Sequence, residues 1–357
     1  MIYIKKDFEP DYNNLVLAAK NQKPKRMPLY EHIISGKIIE QITGKSLYKD
    51  TGNRKSDVIE YYRNFNDFFK LMGYDAICFE LSSCGCMPGG GSLGGHVDGV
   101  IKTQADCDKY DWDGIPETYF SKEKGYPLHI ECMREAIPAG MSLVGGVGNG
   151  IFECVQNVVG YMDLCYIRSD APELYKTLFR KVGEMLYKIW DKFTDLYDDL
   201  FCVYRFGDDL GYKLSTMLSP DDVRAYIIPE YTRIINLIKT KTRKPFLLHS
   251  CGNLDAVMND LIDTAKIDSK HSNEDVIMPF VDMVKKYGDR IGLFGGIDTD
   301  ALCDISGIDI ESYTHAVVEP IKDKGGIAIG SGNSITDYVS VDRYAKMNEI
   351  VRKLRGE

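Results

Sequence analysis

The feature that most constrains this chain is a regular alternation of short apolar runs with longer amphipathic stretches, the pattern of parallel strands joined by helices. Eight runs qualify as strands: Pro28–Glu31, Asp75–Leu81, Met141–Val147, Phe201–Phe206, Pro245–His249, a weak Ala265–Asp268, Ile291–Gly296 and Gly326–Gly330. Between them, Leu174, Leu178, Val182, Met185 and Ile189 recur at helical spacing from Ala171 to Leu196, with Asp170 as the expected cap and Pro172 at the start. Ser219-Pro220-Asp221-Asp222 opens another helix: a hydroxyl caps, proline fits the first turn, and acids face the positive dipole end. Val276–Tyr287 and Asp342–Leu354 are two more. Such an alternation can open into a doubly wound sheet or close into a barrel. Closure is favoured by the count, by the single helix after the last strand, and by chemically loaded residues that follow several strands rather than one crevice. The expectation is a single-domain α/β (β/α)8 TIM barrel over residues 1–357. Residues 82–128 are too long for a simple connection and read as a lid or rim insertion after the second strand.

The charge balance excludes some partners. Lys+Arg 44 against Asp+Glu 53 leaves a net charge of -9. A nucleic-acid binder or a protein docked on anionic lipid needs a basic footprint instead. No apolar run approaches the length that spans a bilayer, and Met1–Asp7 has no apolar leader core, so a cytoplasmic protein is expected. In that compartment the ten cysteines read as thiols. Cys78, Cys154, Cys165 and Cys202 sit in apolar runs, as buried small hydrophobes do, whereas Cys84, Cys86 and Cys251 stand beside glycines in loops and are candidate ligands.

In a barrel, polar residues just past the strand ends line the pocket. Here these are Glu31, Glu80, Asp208, Asp209, His249, Cys251, His271, Asp298, Ser331 and Asn333, a ring of carboxylate, imidazole and thiol suited to metal binding and proton transfer. His249-Ser250-Cys251-Gly252-Asn253 is the sharpest signal. A strand end turning into a loop lets His249 and Cys251 face one pocket, and such N and S donors suit Zn²⁺. The plain alternative is an imidazole bonded to backbone and a thiol filling space. Asp208 and Asp209 bind a metal, move a proton or hold a substrate group, or else cap and brace. His271 points inward or packs. Asn253, Asp298, Ser331, Asn333 and Glu80 are candidate binding groups. The loop Gly89–His96 lacks the Gly-Lys-Ser/Thr ending of a phosphate loop and reads as a flexible gate that carries His96.

Six short motifs then stand in order: Gly207-Asp208-Asp209-Leu210-Gly211, Met217-Leu218-Ser219-Pro220, Leu248-His249-Ser250-Cys251-Gly252-Asn253, His271-Ser272-Asn273-Glu274-Asp275, Gly295-Gly296-Ile297-Asp298 and Gly330-Ser331-Gly332-Asn333-Ser334. Together they resemble the uroporphyrinogen decarboxylase superfamily, densely in the C-terminal half and thinly in the first half. The resemblance implies a (β/α)8 barrel and one of two chemistries. One is cofactor-free decarboxylation of uroporphyrinogen. The other is methyl transfer between a small methylated compound or thiol and the corrinoid (cobalamin) of a partner protein, often with zinc. The decarboxylases carry an arginine-rich N-terminal motif, and Lys25-Arg26-Met27-Pro28-Leu29-Tyr30-Glu31-His32 lacks that cluster, which favours the methyltransferase branch. The family's zinc methyltransferases match at His249 and Cys251, but their third ligand is a cysteine where Ser331 stands here. Glu31, Glu80, Cys84 and Cys86 are then candidates to complete the site. In this reading Glu31, Asp208, Asp209 and His271 are the catalytic set and His249 and Cys251 the metal ligands. The alternatives are a decarboxylase, or a non-catalytic barrel that binds a corrinoid protein. A homodimer is left open.

Overall fold

The computed structural model describes residues 7–47, 54–304 and 307–357. Met1–Lys6, read above for a leader, lie outside that range. No helix among the described residues is long and apolar enough to cross a membrane.

Seven parallel strands form one sheet in chain order: β1 Ile77–Leu81, β2 Leu143–Val147, β3 Phe201–Gly207, β4 Phe246–His249, β5 Ser269–His271, β6 Gly292–Ile297 and β7 Ile327–Ser331. Most of these residues are buried on both faces, as expected of strands covered by crossover helices. The run expected as the first strand makes a single parallel bridge, Leu29 to Ile329, on the outer edge of β7. On its other side no backbone ladder to β1 forms; the Cys78 thiol donates to the Glu31 carbonyl instead. The expected sixth strand is displaced. Lys266 takes a left-handed backbone (φ 64) that cannot lie in a strand, so β5 starts only at Ser269.

The sheet is curled, giving a TIM-barrel-like α/β fold. The short helix Asn13–Ala19 touches β3, β6 and β7 together. A seven-residue helix is only about 10 Å long, so strands that far apart in order must bend around it. Leu15, Ala18 and Ala19 pack with Ala76, Val144, Val203, Leu247, Phe294 and Ala328 as an inner cluster. A much larger cluster fills the space between sheet and helices, with Trp190 and Phe193 of the helix Pro172–Tyr197 at its heart. That helix begins where expected, but Asp170 does not cap it. Asp170 ends the preceding helix Tyr161–Asp170, and Ala171 is the junction. Ser219 does cap, accepting from the Asp222 N–H.

Residues 82–128 hold the short helices Gln104–Lys109 and Gly114–Tyr119 and the start of a third, Pro127–Ala136. Ile101, Cys107, Trp112, Ile115 and Tyr119 are buried in the main core, so this part packs as body. The glycine-rich turn before it leaves His96 exposed.

Gly330 shows how the first run is seated. A Cβ there would lie 1.7 Å from the Tyr30 carbonyl oxygen. Gly330→Ala is expected to push the Tyr30–Glu31 segment off β7 and destabilise the fold by about 2–4 kcal/mol, as overpacking against backbone does. Chemical denaturation of the variant beside wild type checks this.

Candidate active site at the strand ends

Strand register places the chemistry in one layer. His249 pairs with Gly207 on one side and His271 on the other, and Ser331 ends β7 opposite Ile297. The run at Leu29 carries Glu31 and His32 to the same end.

Two neutral groups, the Ser331 carbonyl and the His271 ring, fix the protonation of His249. His271 Nε2 lies 3.0 Å from the Ser331 carbonyl oxygen, which can only accept, so this nitrogen carries the hydrogen. Burial pushes His271 down to about 3 and His249 well below the usual imidazole range, so both rings are neutral. His271 Nδ1 therefore has a bare lone pair, and His249 Nδ1, 2.8 Å away, must donate to it. That leaves the lone pair on His249 Nε2, which faces the Cys251 Sγ at 3.5 Å and an Asp209 carboxylate oxygen at 3.7 Å. This is the tautomer a metal ligand needs, set by the partner of the other ring nitrogen.

Asp209, His249 and Cys251 each offer one donor atom, all within 4.8 Å of one another. Bond lengths of about 2.0–2.3 Å to a tetrahedral zinc put neighbouring donors about 3.4–3.6 Å apart, so the spacing and the N, S, O set fit Zn²⁺ with one open position. A second grouping, His32, His249 and His271, is equally close. It does not converge on a shared ion. His32 stacks on His249 at 3.6 Å and 9°, so their in-plane lone pairs run side by side, and both nitrogens of His271 are engaged. Burial, with Asp209 beside it, pushes the Cys251 thiol up to about 12. Asn333 Nδ2 donates to its sulfur at 3.2 Å. The buried Lys270, pushed down to about 8 by desolvation, donates to the Ser250 and Ser272 carbonyls.

The other expected site residues take different places. Asp208 belongs to the scaffold: it accepts from the backbone N–H of Phe152 and Glu153 and from the Tyr231 hydroxyl at 2.6 Å, which ties the helix Ile151–Val159 to the strand end. Asn253 caps its own turn at Asp255 N, and Asp298 accepts from Asp275 N and Asp300 N. Glu80 pairs with the fully buried Arg205 at 2.6 Å. Cys84 lies against Cys154 at 3.7 Å, and neither Cys84 nor Cys86 falls in a ligand group among the described residues. The donor atom grouped with His249 and Cys251 belongs to Asp209, for which the sequence left metal binding, proton transfer and substrate binding open.

Glu31 is bound to Ser331. The Ser331 N–H reaches both of its oxygens, at 3.1 and 3.2 Å, and the Ser331 hydroxyl lies between Glu31 and the Asn333 carbonyl. One hydroxyl hydrogen cannot serve two acceptors, so a protonated Glu31 that donates to Ser331 Oγ satisfies the set. Burial pushing this carboxyl up to about 8 agrees. His32 and a cavity beside β1 walled by the rings of Tyr61, Tyr62, Phe65, Phe69, Phe79 and Tyr126 were missed. The only signal for His32 was its place after Glu31, at the end of the first apolar run.

Two outcomes follow. Asp209→Ala and Cys251→Ala should each lose bound zinc while keeping wild-type thermal stability within about 1 kcal/mol, because rim residues add little to core packing; metal analysis and calorimetry check this. The folded state holds a proton on Glu31 up to about pH 8, whereas the unfolded chain releases it near 4.5. Folding therefore binds a proton between those values, and stability falls as pH rises through the window, by at most about 1.4 kcal/mol per pH unit from this group. Glu31→Gln should flatten that slope in denaturation midpoints measured from pH 5 to 8.

The fold finds counterparts among known proteins. The structure of a methyltransferase from Methanosarcina mazei superposes with a TM-score of 0.65 at 14% identity, covering 95% of this chain and 97% of that one. A putative vitamin-B12 independent methionine synthase from Listeria monocytogenes gives 0.52 at 12% identity, covering 93% and 100%. At such identities the likeness is one of fold. No curated protein matches in sequence. The model of the family described as uroporphyrinogen decarboxylase (URO-D) matches residues 97–354, which is most of the chain and includes the strand ends that carry His249, Cys251 and His271. The chain belongs to the uroporphyrinogen decarboxylase family.

Proposed function

We propose that this protein is a zinc-assisted methyltransferase that moves a methyl group between a small methylated compound or thiol and the corrinoid of a partner protein. The observation that carries this is the set Asp209, His249 and Cys251, with the His249 lone pair aimed at Cys251 by the His271–Ser331 relay. Bound zinc would act as a Lewis acid on the methyl-bearing heteroatom or on an acceptor thiol. The chain's own residues do the rest. His271 holds the His249 tautomer, Asn333 donates to the Cys251 sulfur, and Lys270 braces the turns on either side by donating to the Ser250 and Ser272 carbonyls. The methyl leaves as the equivalent of CH₃⁺, its bonding electrons stay on the donor heteroatom, and a proton neutralises that atom.

Three further points support this reading. The Methanosarcina mazei structure that superposes on this chain is itself described as a methyltransferase. Ile33, Tyr212, Leu214, Val276 and Tyr338 are exposed apolar residues on loops that follow strand ends, an apolar rim suited to a partner protein. The described cysteines are all free thiols, as in a cytoplasmic protein. We read residues 1–357 as one eight-stranded barrel domain, with the bridge at Leu29 as its first strand.

A decarboxylase needs free cations to grip carboxylates. Arg26 is paired with Asp75 before the start of β1, at the far end from the site, and Arg205 is paired with Glu80. A non-catalytic barrel has no need of two further ligand donors within coordination reach of Cys251. The test is zinc content together with methylation of cob(I)alamin. Wild type should hold about one zinc per chain and methylate cob(I)alamin from a suitable donor, and Cys251→Ala should lose both. Coproporphyrinogen formed from uroporphyrinogen, or the absence of both zinc and methyl transfer, would overturn the reading.

A further inference from the structure

At the N-terminal ends of the strands, away from the metal-ligand set, lies a cavity of about 360 Å³. Lys23, Lys25 and Arg26 line it from the loop before the first run. Lys322, Asp323 and Lys324 line it from the loop before β7, and Arg355 from just past the helix Val341–Leu354. Six cations thus stand with one acid, in a chain whose net charge is -9. We propose that this cavity binds a compact oligophosphate, an anion of two or more linked phosphate groups. This site stands apart from the methyltransferase reading.

The two arginines are fixed. Arg355 donates to the carbonyls of Met27 at 3.2 Å and Gly73 at 2.7 Å, and Arg26 is paired with the buried Asp75. Both guanidinium groups lie over the Phe8 ring, Arg26 at 4.6 Å and Arg355 at 5.7 Å. Asp75 and Glu357 offset their charges. The lysines are less committed. Lys322 makes no ion pair among the described residues. Lys23 and Lys25 reach Asp323 and Asp11 only at 3.9 and 3.7 Å, and their side chains are 67% and 85% exposed. Long, solvated pairs of this kind hold little energy, so a ligand with several adjacent charges displaces the single carboxylates. Lys324 is held more firmly, by Asp289 at 2.5 Å. The loops that carry the lysines are locked to each other. The Gly326 N–H donates to the Gln22 carbonyl at 3.1 Å, and a Cβ on Gly325 would stand 2.9 Å from the Lys23 nitrogen. Little loop ordering is therefore left for a ligand to drive, which favours affinity. Size narrows the ligand. Pockets for small molecules run from about 300 to 1,000 Å³, and this one lies near the lower end. It takes a short phosphate chain and excludes a nucleic acid. Linked phosphates also engage the lysines of both loops at once, each ammonium acting as a point charge.

The experiment is isothermal titration calorimetry of the full chain with inorganic triphosphate, pyrophosphate, orthophosphate and ATP. Triphosphate also chelates zinc, so Cys251→Ala, which lacks the thiol of the metal-ligand set, is titrated beside wild type. The expected result is one triphosphate site per chain in both proteins, with a Kd on the order of 0.1 mM. Pyrophosphate should bind more weakly, orthophosphate should not saturate, and the Kd should rise with salt. Lys23→Ala with Lys322→Ala should weaken triphosphate about tenfold, and Lys23→Arg with Lys322→Arg should retain it. Lys285→Ala, an exposed lysine on the helix Phe280–Tyr287, should change nothing. ATP that binds at least as tightly as triphosphate supports a nucleotide seated on Pro24, Met27 and Leu354, and weaker ATP supports the inorganic chain. No saturable binding of triphosphate at low salt, equal affinity for orthophosphate, loss of binding in Cys251→Ala, or unchanged affinity in the double alanine variant would overturn the proposal.

Discussion

The site depends on a single hydrogen-bond direction. The Ser331 carbonyl can only accept, and that one fact orders His271, then His249, and leaves a lone pair beside a thiol and a carboxylate. The rings are held neutral by burial, so the order is not scrambled by protonation near neutral pH. The relay exists because β4, β5 and β7 end at one level of the curled sheet. A shift of one residue in any of these strands would turn its terminal side chain to the opposite face.

A second constraint sits under the first. Glu31, protonated and locked to Ser331, fills the place behind the last strand's turn. Ser331 here holds the first run in place, and the donor atom that stands with His249 and Cys251 comes from Asp209 on the turn after β3. Gly330 belongs to the same arrangement, since only a residue without Cβ lets the Tyr30 carbonyl approach so closely. Structure and chemistry thus share residues here: the contact that seats the first run also delivers His32 to the ring-walled cavity beside β1.

Much of this was legible in the residues. Strand positions came from apolar runs bounded by turn residues, and most matched within two residues. Lys266 in a left-handed conformation delayed β5, and the first run makes one bridge to β7 while a thiol contact from Cys78 stands where a ladder to β1 was expected. His249 and Cys251 stood out because their residue types are metal donors two apart after a strand. Asp208 and Asp209 could not be told apart, because adjacent residues on a strand end face opposite ways. One became a helix brace and the other a ligand candidate.

What the sequence by itself determined is the alternation of strand and helix, the level at which chemistry-bearing residues leave the strands, and the family. Those follow from local periodicity and short motifs, which survive without knowledge of distant partners. The tertiary structure alone decided which tautomer His249 holds, that Asp209 and not Glu31, Glu80, Cys84 or Cys86 stands beside Cys251, and that six rings surround one cavity. Each of these depends on groups tens to hundreds of residues apart, such as Glu31 and Ser331 or Glu80 and Arg205. Their meeting is set by the curling of the sheet, which no local pattern encodes.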